Sequence, residues 1–183
     1  MKEETTMTIR FTTLMLAATM LFAAIAPAAA QQKPPLSPPG QAAVTIGAAS
    51  ITIDYARPSM RGRKIMGELV PYDKVWRTGA NAATTLKTTA ALEIGGTLVP
   101  AGTYTLYTLP GEKAWKLIIN KQTGQWGTQY SEAQDLARVD LKVGATTAPV
   151  EQFTITLTGT GGAAGLLTME WENTKLTIPF TVK

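Results

Sequence analysis

The sequence predicts an all-β fold, an antiparallel β-sandwich of about nine or ten short strands interrupted by one long ordered loop. Three observations predict it. Apolar and polar residues alternate with period two in Phe153-Thr154-Ile155-Thr156-Leu157, in Leu167 to Glu172 and in Leu176 to Val182, as half-buried antiparallel strands require. Thr103 to Leu109, TYTLYTL, is β-branched or aromatic almost throughout, the composition a pleated surface favours. Glycine and proline signals punctuate these runs at strand-length spacing, a pattern typical of sandwiches. A closed barrel is the alternative arrangement of the same strands.

The chain opens with Lys2 and Arg10, a 15-residue mainly apolar run from Phe11 to Ile25, and the small residues Ala28-Ala29-Ala30. This is the pattern of a secretory signal peptide cut after Ala30. The run is shorter than the about 20 apolar residues a membrane span needs, and nothing later approaches that length. The expectation is an exported protein, periplasmic or extracellular, with no span in its mature form. Residues 31–40, QQKPPLSPPG, carry four prolines and read as an extended tether. Residues 41–183 then form a single domain. The chain has no cysteine, so its core alone must hold it together, and a mature chain of this size buries about 68–70% of its unfolded surface.

Within the domain, Ala43 to Gly47 and Ser50 to Ala56 read as a strand pair, with Ile51, Ile53 and Tyr55 on one face. Ala83 to Thr89 and Ala91 to Ile94 are Thr-rich strands. Gly95-Gly96 joins Leu92-Glu93-Ile94 to Thr97-Leu98-Val99 as a two-residue hairpin. Thr103 to Leu109 and Ala114 to Asn120 flank the turn Pro110-Gly111. Lys121 to Tyr130 is a polar loop, in which Gln125-Trp126-Gly127 reads as closing one end of the sandwich. Ser131 and Gln134 fit a capping box opening a short helical turn. Leu136 to Val143 and the three alternating runs complete the set. Pro179 cannot donate to a ladder, which predicts that the last strand is an edge or ends there.

Asp54 to Leu86 breaks the pattern. It joins four arginines (Arg57, Arg61, Arg63, Arg77), Lys64, Lys74, Pro58, Pro71, three glycines and Trp76 into one long connection. Loops of this length are functional or disordered, and its Tyr, Trp, Met and Leu content opposes disorder. The formal net charge of +4 is concentrated here, since residues 57–77 hold six bases against the two acids Glu68 and Asp73. A local excess predicts an anionic ligand or an internal ion-pair network, and neither nucleic acid nor a membrane surface as partner. There is no histidine, which excludes His-based triads and the commonest metal ligand. No phosphate loop, nucleophile elbow or metal motif occurs, so no cofactor, metal or catalytic residue is predicted.

Four runs carry a resemblance: Tyr55-Ala56-Arg57-Pro58-Ser59 with Gly62-Arg63, Val75-Trp76-Arg77-Thr78-Gly79-Ala80-Asn81, Pro100-Ala101-Gly102-Thr103-Tyr104, and Trp115, Asn120, Trp126-Gly127 and Trp171. They resemble the exported bacterial family designated domain of unknown function family 2911, over roughly Ser37 to Val182. A glutamate commonly follows WRTGAN in that pattern; Ala82 stands here. The resemblance implies export and a β fold and supplies no catalytic residue.

The leading functional expectation is a non-catalytic protein with a structural or interaction role. In that reading Trp76 and Tyr55 are core, and Arg57 and Arg77 tie the loop to carboxylates or carbonyls, with Arg77 half of a buried ion pair. The first alternative is a binding module for an anionic or glycan-like small ligand. Its candidate residues are Tyr55, Arg57, Arg61, Arg63, Trp76, Arg77 and Asn81, because arginine's fork suits carboxylates and phosphates and aromatic rings stack on sugars. The second alternative is a hydrolase using Asp54, Glu68 or Asp73, since glycosidases need two carboxylates across the bond.

Overall fold

The computed structural model describes residues 35–183; the expected signal segment and residues 31–34 of the tether lie outside the described residues. Nine strands follow in order: β1 (Pro39–Ile46), β2 (Ala49–Ala56), β3 (Thr85–Thr88), β4 (Leu92–Ile94), β5 (Thr97–Val99), β6 (Gly102–Leu109), β7 (Trp115–Asn120), β8 (Asp135–Gly161) and β9 (Ala164–Val182). They form one antiparallel sheet in the order β1-β2-β3-β6-β7-β8-β9-β4-β5. The sheet does not close: β1 pairs with β2 alone and β5 with β4 alone, so the barrel alternative is not realised.

The two layers arise from β8. Its first residues, to Leu141, pair with β7, and from Lys142 onward it pairs with β9. One strand thereby carries the chain from one half of the sheet to the other, and the halves fold face to face. Ile53, Leu86 and Leu117 of the first half meet Leu157, Leu167 and Ile178 of the second around a void of only about 10 Å³. The alternation read from the sequence is what makes this possible. β2 buries Ile51, Ile53 and Tyr55, and β9 buries Leu167, Met169, Trp171, Leu176, Ile178 and Phe180.

The hairpin at Gly95-Gly96 has both glycines at positive φ, 56° and 79°, the type I′ geometry that a two-residue loop demands. Three expectations differ from the structure. The domain begins before residue 41, because β1 starts at Pro39 and Arg57 N donates to the Pro38 carbonyl. The last strand is not an edge: β9 lies between β8 and β4, with Thr177 opposite Lys142 and Phe180 opposite Ile94. Exposed Pro179 sits where one partner hands over to the other, so its missing N–H breaks no ladder. The helical turn exists as a 3-10 turn, Glu132–Gln134, but the Ser131 side chain makes no capping bond.

β8 is irregular where the long loop meets it. Its register with β9 shifts between Ala145 and Val150 and again before Thr154, as bulges do. There β8 turns to the loop instead: Met60 N donates to the Glu151 carbonyl, Phe153 N donates to the Pro58 carbonyl, and Ser59 bridges Gln152.

Candidate functional site

The connection from β2 to β3 is an ordered platform. Ile65 and Val70 are fully buried in the core. The turn between them is closed by Val70 N donating to the Ile65 carbonyl, and the Glu172 carboxylate accepts the N–H groups of Ile65 and Met66 at 3.2 and 3.1 Å. Trp76 exchanges backbone hydrogen bonds with Thr108 of β6. Thr84 Oγ1 donates to the Thr78 carbonyl at 2.8 Å, pinning the WRTGAN run. Among the described residues five non-glycine positions have positive φ. Arg61, Asp73, Thr78 and Asn81 belong to the platform and the fifth is Glu172, which holds it. Such conformations persist where the surroundings over-determine them, and they cluster at ligand clamps and active sites.

Beside the platform lies a cleft of about 720 Å³, within the range of small-molecule sites. One wall draws on the turn at Pro58, Ser59, Arg61 and Arg63, with Leu69 and the incoming chain at Leu36 and Ser37. A second draws on Arg77, Gly79, Ala80 and Asn81 with Gly127, Thr128 and Tyr130, and Trp76, Tyr107 and Trp171 also line the cleft. Trp76 stacks on buried Trp171 with centroids 5.7 Å apart and planes 20° apart, and it meets Phe153 edge-on at 5.1 Å.

Three arginines line the cleft, each oriented by main-chain carbonyls. Arg61 Nη2 donates to the Leu36 carbonyl at 2.7 Å. Arg63 donates through Nε to the Met60 carbonyl at 2.9 Å and through Nη2 to the Ser59 carbonyl at 2.7 Å. Arg77 Nε donates to the Gly79 carbonyl at 3.3 Å. Among the described residues the ion pairs engage Lys64, Lys87, Lys116, Arg138, Lys175 and Lys183, and none engages Arg57, Arg61, Arg63 or Arg77. No Asp or Glu lines the cleft. The buried ion pair expected for Arg77 is therefore absent; the carbonyl of its own turn takes that place. A guanidinium has five N–H donors, so each of the three keeps donors beyond those used on carbonyls.

Of the seven residues singled out in the sequence, Arg61, Arg63, Trp76, Arg77 and Asn81 line the cleft and Tyr55 and Arg57 do not. Tyr55 is core: its hydroxyl accepts from Ile155 N at 2.8 Å. Arg57 reaches β8, donating to the Phe153 carbonyl and to Thr154 Oγ1. Both join the two halves of the sheet. The acids nearby are also committed: Asp54 pairs with Lys87 at 3.0 Å and Glu68 with Lys64 at 3.8 Å. Gln41 first and Lys87 second hold the Asp54 carboxyl below its usual range.

Sequence reasoning missed the second wall. The Trp126-Gly127 pair meets the platform: Gly127 N donates to the Asn81 carbonyl at 3.0 Å and brings the 121–131 loop against it. Behind it Asp135 gathers Tyr130 Oη (2.6 Å), Arg138 Nε (2.8 Å) and Asn120 Nδ2 (2.8 Å). Burial, and then the hydrogen bond to Asp135, push the Tyr130 hydroxyl up to about 12. Burial also raises Tyr107. Both phenols are neutral at physiological pH, so the cleft's formal charge comes from its arginines.

A family model matches the chain over residues 37–180. The chain belongs to the family described as protein of unknown function (DUF2911). No curated protein and no solved structure matches it. The DUF2911 match takes in the platform, the 121–131 loop and every lining residue of the cleft except Leu36. Ala82, the residue after WRTGAN, bridges Trp126 and does not line the cleft.

Proposed function

We propose that this DUF2911 protein is exported and acts as a non-catalytic binding module that holds a small organic anion in the cleft between its platform and the 121–131 loop. One observation carries the reading: Arg61, Arg63 and Arg77 line a common cleft, anchored on carbonyls and in no ion pair, with no Asp or Glu in the lining; the Glu151 carboxylate nearby takes the Arg61 backbone N–H at 2.9 Å. Guanidiniums fixed in advance lose little freedom on binding, and unneutralised ones gain most from an arriving carboxylate or phosphate. Asn81 adds a directional polar group and Trp76 an aromatic surface, while the Tyr107 and Tyr130 hydroxyls are engaged by Gln129 and Asp135. Holding, not turnover, fits the lining. A carboxylate-dependent hydrolase needs two acids across the bond, and Glu68 and Asp73 are outside the lining. Export rests on the amino-terminal run ending at Ala30.

The reading is tested by calorimetric titration of the mature chain with citrate, phenyl phosphate and glucuronate. Saturable binding of at least one, weakened tenfold or more by Arg63→Gln, is expected. Absence of binding across such anions, or binding indifferent to Arg63, would return the platform to a purely structural role.

A further inference from the structure

Resting on that reading, we infer that the ligand is amphiphilic: an anionic head, phosphate or carboxylate, joined to an apolar chain or ring that lies along the mouth of the cleft. The observation is where the exposed apolar side chains fall. Leu36, Leu69, Leu98, Trp126 and Val143 are the exposed large hydrophobic residues among those described. Of these, Leu36 and Leu69 line the cleft. Scattered single exposed leucines are ordinary, but apolar groups gathered at one place mark a binding surface.

The way Leu69 is held strengthens the point. Its neighbour Val70 and nearby Ile65 are fully buried, and Glu172 grips the start of the turn. The turn is fixed from both sides while Leu69 stays 43% exposed, so its exposure is imposed and does not come from a loose loop. Leu36 is 66% exposed, yet its carbonyl is bound by Arg61 Nη2 at 2.7 Å. The guanidinium that would meet the anionic head is thus tied to the residue that would meet the apolar part. A fully hydrated inorganic anion would use the arginines and leave both leucines and the Trp76 surface in water.

The test is a homologous series, methyl, butyl and octyl phosphate below micelle-forming concentrations, titrated calorimetrically into the mature chain and its variants. Affinity should rise about three- to fourfold for each methylene that the cleft buries. Leu69→Ser and Leu36→Ser should each cut octyl phosphate affinity about tenfold while leaving methyl phosphate unchanged, and Arg63→Gln should weaken the whole series. Equal affinities for methyl and octyl phosphate, both lost in Arg63→Gln, would overturn the amphiphile and leave the anion site standing. Chain-length dependence that survives Arg63→Gln and Arg77→Gln would overturn it as non-specific adsorption. Failure of every member to bind would overturn the anion site and this inference with it.

Discussion

Gly127 packs directly on Arg77: a β-carbon at position 127 would sit 2.8 Å from Arg77 Cδ and 2.8 Å from the Asn81 carbonyl oxygen. Two loops 50 positions apart in sequence close on each other with room for a hydrogen and nothing larger. Gly127 is therefore selected by space, and the contact sets where Arg77 stands relative to the second wall. Gly127→Ala should cost about 1–3 kcal/mol as an overpacking substitution and weaken anion binding together with stability. Urea unfolding checks it; a change within about 0.5 kcal/mol, the range of neutral surface substitutions, would show that the loops give way.

Arg77 itself should matter little to stability. Its removal leaves no carboxylate unpaired, so the about 3–5 kcal/mol that follows loss of a buried ion-pair partner is not expected. Arg77→Ala and Arg77→Lys should each lose about 1 kcal/mol, the scale of one hydrogen bond. Both should lose anion affinity, the lysine because it keeps charge but not the planar fork. Denaturant unfolding beside calorimetry separates the two effects.

Trp171 should behave in the opposite way. It is 2% exposed, stacked under Trp76, and its Nε1 donates to the Glu151 carbonyl that also receives Met60 N. Trp171→Ala should cost about 3–5 kcal/mol and loosen the platform from β8. Hydrogen exchange should show Met60 and Trp76 amides losing protection; retained protection would mean that the platform is held independently of this stack.

Alkaline pH should expose the Asp135 cluster. The Tyr130 hydroxyl is raised from 10 to about 12 in the folded chain, so folding favours its protonated form. That contribution is whole below pH 10 and is lost as pH rises from 10 toward about 12. Tyr107 is raised in the same direction. Stability of the wild type should fall more steeply over that window than stability of Tyr130→Phe, measured by urea unfolding at each pH. Parallel curves would contradict the assignment.

Much of this architecture was legible because period two is a strong signal. Tyr55 shows its reach: alternation placed it beside Ile51 and Ile53, and there it is buried. β8 shows its limit. Gly144 to Gln152 has no alternation, because over that stretch β8 serves the platform as well as β9. The platform was visible through its charge and turn residues. Which arginines would face a cleft was not, since Arg57 and Arg61 differ only in what the fold brings near them: β8 for one, Leu36 for the other. The second wall was hidden because Gly127 and Tyr130 carry no charge and meet the platform only through a long-range contact.

The most direct test of the account is the melting temperature of the mature chain with phosphate, sulfate, citrate and phenyl phosphate at constant ionic strength, compared with Arg61→Gln/Arg63→Gln/Arg77→Gln. A ligand at a hundredfold excess over its Kd stabilises the folded form by about 2.7 kcal/mol, which for a domain of this size is about 5–10 °C. The account predicts such a rise for at least one of these anions in the wild type and none in the triple variant. No rise in the wild type, or an equal rise in both, would contradict it.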